Sequence, residues 1–183
     1  VWHHVNDLKL TNQLGNVVSF KSLRGKVVVV DFFFTRCPTI CPNMARNMKR
    51  IQSSFAPSDT LLQFVSISVD PEHDDVSRLR WWAEKFGVNP DNWWLTTGNK
   101  DSIYNFALAE MKASIADVGV DTGFIHTENF FLLDRQGVIR GWYNGTDEAA
   151  LKRLVKDIPL LILEKDSRTS LFDRVKTEYK LPQ

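Results

Sequence analysis

Lys26-Val27-Val28-Val29-Val30-Asp31-Phe32-Phe33-Phe34 runs directly into Thr35-Arg36-Cys37-Pro38-Thr39-Ile40-Cys41-Pro42. The first part is a nearly unbroken β-branched and aromatic run, which marks a central strand buried on both faces. Pro42 suits the first position of a helix, where its missing N–H would be unpaired anyway. Met44, Met48, Ile51 and Phe55 then fall on one helical face, and Pro57 lies just past the end. A buried strand, a short tip and a helix therefore predict an α/β unit. Both cysteines of the chain sit on that tip.

Outward from this unit the elements alternate. Leu8 to Phe20 reads as a hairpin turning at Asn12 to Asn16. Leu61 to Val69 is the next strand, closing on Asp70-Pro71. Asp74 or Asp75 caps a helix through Leu79, Trp82 and Phe86 that stops at Gly87. A short strand over Trp93 to Thr96 and a helix over Ser102 to Met111 follow. Asn129 to Leu133 and Val138 to Tyr143 form a second hairpin, and Thr146 or Asp147 caps a helix running to about Ile158. This order predicts an α/β, thioredoxin-like fold, with a central mixed sheet flanked by helices and an added N-terminal β-hairpin. One such domain is expected over residues 1–183, with a polar C-terminal tail from about 165 to 183.

The bulk properties remove several classes. Apolar residues make up 43% and charged residues 25%, which is globular composition. A net charge of +1 without a Lys/Arg block gives no nucleic-acid surface. No long apolar segment is present, and the numbering opens on Val1-Trp2, so a processed or trimmed soluble portion is expected, from which a leader or an N-terminal anchor could have been lost. Trp81-Trp82 and Trp93-Trp94 are adjacent pairs, which predicts one buried and one rim member in each.

Two cysteines separated by three residues make a reversible local disulfide or a pincer for a thiophilic metal. Cys41 just ahead of the helix should feel unpaired N–H groups that favour its thiolate, with Arg36 able to add positive charge. A peroxidatic site would need a hydroxyl three residues before the thiol, and Phe34 stands there. A general thioredoxin-type oxidoreductase uses a two-residue spacer and a proline opposite the disulfide. This chain has three residues between its cysteines and no proline between Pro90 and Pro159. His126-Thr127 occupies the loop that such a fold sets across from the thiols. Two thiolates and an imidazole suit Cu(I), or Cu(II) with an added oxygen ligand, better than zinc, which prefers four ligands. Met44 and Met48 are read as core rather than as thioether ligands. His3, His4 and His73 are read as ordinary histidines, and Asp70-Pro71-Glu72 first as a strand-ending turn.

Four segments in order resemble the SCO/SenC family of copper-handling, thioredoxin-fold proteins. Phe34 to Pro42 is similar to its Cys-Pro-x-x-Cys-Pro core, and Ser68-Val69-Asp70-Pro71-Glu72 to its Ser-x-Asp-Pro turn. Trp94-Leu95-Thr96 with Gly98 resembles its Trp-x-x-Leu-Thr-Gly stretch. His126-Thr127 ahead of Asp134 and Gly137 resembles its ligand histidine and following hairpin. Ile125, His73 and the additional Thr97 depart from the family pattern. The resemblance implies that Cys37, Cys41 and His126 bind copper. It implies delivery to the copper-bearing subunit of cytochrome c oxidase, or to another copper- or thiol-carrying protein. It also implies export to the periplasm or the extracytoplasmic face of a bacterial inner membrane, or to the mitochondrial intermembrane space. A metallochaperone would not be an enzyme. A thiol–disulfide oxidoreductase and a redox or copper sensor stay open on the same cysteine pair.

Overall fold

A computed structural model describes residues 4–113 and 127–164. Along them lie β1 (Lys9–Asn12), β2 (Val17–Ser19), β3 (Val27–Phe33), α1 (Ile40–Ser53), β4 (Leu62–Ser68), α2 (Val76–Phe86) and β5 (Trp93–Thr97). They continue with α3 (Lys100–Asn105), β6 (Asn129–Leu133), β7 (Ile139–Asn144) and α4 (Glu148–Leu163). The strands form one mixed sheet in the order β2-β1-β5-β4-β3-β6-β7. Every residue of β3 and β4 is buried, as the continuous apolar run requires of central strands. These two pair in parallel, with Val27 opposite Leu62 and Phe33 opposite Ser68. β5 extends the parallel block beside β4. The N-terminal hairpin adds to its outer edge, where β1 runs antiparallel to β5.

On the other side β6 pairs antiparallel with β3, Val30 facing Phe131. The amino end of β6 therefore lies at the carboxyl end of β3, the end from which the cysteine loop departs. A tight turn holds this arrangement. Gly145 N–H donates to Glu128 O at 2.6 Å, and Asn47 Nδ2 of α1 donates to Gly145 O at 2.8 Å. A Cβ at Gly145 would lie 3.0 Å from Phe130 Cζ and 3.1 Å from Glu128 O and Met44 Cε. A side chain there would have to push these neighbours aside by a few tenths of an ångström.

Met44, Met48 and Ile51 are 1%, 0% and 2% exposed, so the methionines belong to the core. The tryptophan pairs divide as expected, Trp82 and Trp93 buried, Trp81 exposed and Trp94 intermediate. Three elements differ from the sequence reading. α1 begins at Ile40, so Pro42 is its third residue, where an N–H is still not needed. α3 passes into a π-helical turn over Phe106–Glu110, with Met111 N–H bonded to Phe106 O at 3.0 Å. Widening that turn keeps Met111 on the buried face with Phe106 and Ala107. α4 runs past Ile158 through Pro159 to Leu163, because Leu154, Ile158 and Leu161 keep one buried stripe across the proline. Among the described residues no helix is long and apolar enough to cross a membrane.

Candidate functional site

β3 ends at Phe33, and Cys37 N–H closes a turn onto Phe34 O at 3.2 Å. Four residues on, Cys41 sits in the first turn of α1 and its N–H points at Cys37 Sγ at 3.4 Å. Both residues are free thiols, only 6% and 5% exposed. The expectation that the helix start would ionise Cys41 is corrected here. The Cys41 thiol donates to Cys37, and this bond, with backbone N–H groups of Cys41, Thr39 and Ile40, lowers Cys37 from 9.0 to about 5 against the effect of burial. The same bond, followed by burial, pushes Cys41 well above the ordinary thiol range. The unpaired N–H groups of the first turn lie over the preceding loop, so they serve the sulfur that comes before the helix. The shared hydrogen bond thus favours the thiolate on Cys37 over that on Cys41.

Arg36 does not supply that charge. Its Nε and Nη2 donate to Asp70 Oδ2 at 3.0 and 2.7 Å, and His73 Nδ1 lies 2.9 Å from Asp70 Oδ1. Asp70, Glu72 and His73 cluster closely enough to face one ion, but Arg36 already provides Asp70 with a cation. Asp70-Pro71-Glu72 is a turn, as read, and it also anchors the residue before Cys37.

The residue before that is anchored more deeply, through contacts that the sequence reading missed. Asp74 is fully buried and accepts from Thr35 N–H at 3.1 Å, Thr35 Oγ1 at 2.6 Å and Ser68 Oγ at 2.6 Å. Arg78 Nε donates to Thr35 Oγ1 at 2.9 Å. Asp75, not Asp74, caps α2 by accepting from Arg78 N–H at 2.7 Å. Adjacent Asp residues ahead of a helix were the available signal, since only one of two can cap. Asp74→Asn keeps the shape but turns an amide donor toward groups that are themselves donors, so we expect a loss of about 2 kcal/mol in urea unfolding at pH 7. Asp75→Asn still caps and should change stability by less than about 0.5 kcal/mol.

His126 and its neighbour Ile125, His3, and the tail from 165 lie outside the described residues. His4 Nδ1 is 2.7 Å from Gln136 O. Among the described residues no histidine or carboxylate joins Cys37 and Cys41 as a third ligand.

The SCO1/SenC family model matches residues 3–159. A SCO1 protein homologue of Bacillus subtilis (strain 168) is 33% identical over 157 residues, 85% of this chain and 81% of the relative. The solved structure of BsSco, described as a Sco-family cytochrome c oxidase assembly protein with a disulfide switch, is 32% identical. It has a TM-score of 0.78 and covers 90% of this chain and 96% of that one. ScoI of Bradyrhizobium japonicum, solved with copper bound, is 23% identical with a TM-score of 0.71, covering 87% and 99%. At that identity it shows the shared fold alone.

Proposed function

The chain belongs to the SCO1/SenC family, and from that premise we propose that it is a copper-binding metallochaperone for the copper centre of a respiratory cytochrome c oxidase. The observation that carries this reading is the geometry of the cysteine pair. Cys37 and Cys41 are buried free thiols brought together at the start of α1, Cys41 N–H 3.4 Å from Cys37 Sγ, and their shared hydrogen bond pulls Cys37 toward its thiolate, which suits a soft, low-coordinate Cu(I) site. His126 is the third ligand in this reading. It lies two residues ahead of Glu128, and Glu128 is bonded to the Gly145 turn that packs on Met44 of α1. Cu(II) would need an added oxygen ligand. Few ligands and a thiolate exchange readily, so the ion can pass through shared-ligand intermediates to a partner. The location that goes with this reading is the extracytoplasmic side of a membrane.

The same asymmetry favours a second reading as a thiol–disulfide reductase that prepares the partner's cysteines. An attacking thiolate beside a protonated resolving thiol is the arrangement such exchange uses. Anaerobic Cu(I) titration of the reduced protein against a competing chelator separates the two. We expect one-to-one binding, weakened at least about 100-fold in His126→Ala, because even residues behind the ligands are worth about 10- to 100-fold. Weak binding that ignores the substitution would leave the reductase.

A further inference from the structure

α1 and α4 run beside each other and leave a groove of about 680 Å³ between them. Ile51, Leu151 and Val155 form its apolar floor, and Lys49, Lys152 and Lys156 stand along its rim. None of these lysines makes an ion pair with a described residue. The single carboxylate lining the groove, Glu148, is held by both terminal nitrogens of Arg50 at 3.1 and 3.0 Å. Four cations against one carboxylate leave the rim with a net charge of +3. Lysine stems can cover the floor while their ammonium groups stay in water, so rim and floor can be used together.

We propose that this groove docks an acidic segment of the protein that exchanges copper or thiols with the cysteine pair, its apolar side chains seated on Ile51, Leu151 and Val155. The proposal rests on the functional reading above and names the chemistry of its partner. Complementary charge selects the occupant: Asp or Glu side chains meet the lysines while apolar ones fill the floor. By charge the groove favours such a partner over the chain's own residues 165–183, which carry five Lys/Arg against three Asp/Glu. A bilayer surface does not fit either. The floor is recessed, with Ile51 and Leu151 2% and 5% exposed, whereas membrane binding needs apolar groups that protrude. The position also serves the site, because Cys41 and Ile51 lie on the same helix, about 15 Å apart at its axial rise. A segment anchored at the groove keeps the rest of its domain within reach of the thiols.

The test uses the soluble copper-bearing domain of the oxidase subunit as probe, with calorimetric Kd and Cu(I) transfer measured in parallel. Lys152→Glu/Lys156→Glu should weaken docking at least about tenfold at low salt, while wild-type binding itself weakens as salt rises. Cu(I) affinity and the urea midpoint of the variant should match wild type. Lys152→Gln/Lys156→Gln, a milder change, should lose about threefold. Unchanged Kd and transfer in both variants overturn the groove and leave the functional reading standing. A wild-type protein that neither binds the domain nor passes copper to it overturns both. Loss of binding to anionic phospholipid vesicles, with domain binding intact, would make the groove a lipid surface and also overturn the proposal.

Discussion

Acid titration of the reduced protein, followed by thiolate ultraviolet absorbance, will show one proton leaving the cysteine pair near pH 5 and the second staying on throughout the neutral range. The first belongs mainly to Cys37, lowered from 9.0 to about 5, and the second mainly to Cys41, which the same hydrogen bond and burial push upward. Cys37→Ser will abolish the low step. Cys41→Ala will move it upward, because it removes the largest stabilising contact. Under the proposed metal site this has a large consequence for affinity. Binding Cu(I) to both sulfurs at neutral pH displaces one proton, from Cys41, rather than two. Above the ordinary histidine range near about 6.5, apparent Cu(I) affinity will then rise about tenfold per pH unit, not about a hundredfold. Two protons released per ion at pH 7, or two thiols titrating together in the alkaline range, would refute the assignment.

That asymmetry was the part of the site least legible from the residues. The residues set the cysteines at the junction of a buried strand and a helix, and the structure agrees on the junction, because a run such as Val27 to Phe34 has few places to go except the middle of a sheet, but it takes Cys41 into the first turn of α1. Which sulfur takes the charge depends on where the free N–H groups aim, and that depends on an N-terminus two residues earlier than Pro42 indicates. Arg36 is a similar case. Its position beside Cys37 invites an electrostatic role, but Asp70 lies 34 residues away in sequence and claims it. Asp74 and Asp75 are equivalent caps by local chemistry, and only packing against Thr35 separates them. The proposed copper ligand set is legible at its cysteines by spacing and softness. At His126 it depends on the loop position assigned by the fold and on family resemblance, since nothing near that residue in sequence marks it as a ligand.

The second large effect concerns Asp31, inside the strand that defines the fold. It is 3% exposed, accepts a hydrogen bond from Ser66 Oγ, and Ser66 in turn accepts from Trp93 Nε1 at 2.9 Å. Burial outweighs the Ser66 bond and raises its carboxyl from 3.8 to about 7. A raised acid leaves the fold at full stability below its unfolded pKa and lowers it as pH climbs through the folded value. The shift corresponds to about 4 kcal/mol lost between roughly pH 4 and pH 7, as an order of magnitude. Asp31→Asn removes the titration and still accepts from Ser66, but buries an amide donor at a cost of about 1–3 kcal/mol at every pH. The two stability curves must therefore cross. In urea unfolding the variant will be the weaker protein near pH 4 and the stronger one above pH 7, by about 1–3 kcal/mol on each side. Curves that stay parallel would mean Asp31 is solvated well enough to ionise normally. The charge on Asp31 is also one of the smaller influences raising Cys41. The variant should therefore ease deprotonation of Cys41, so that a substitution in the strand leading to the thiols changes the pH dependence of what they bind.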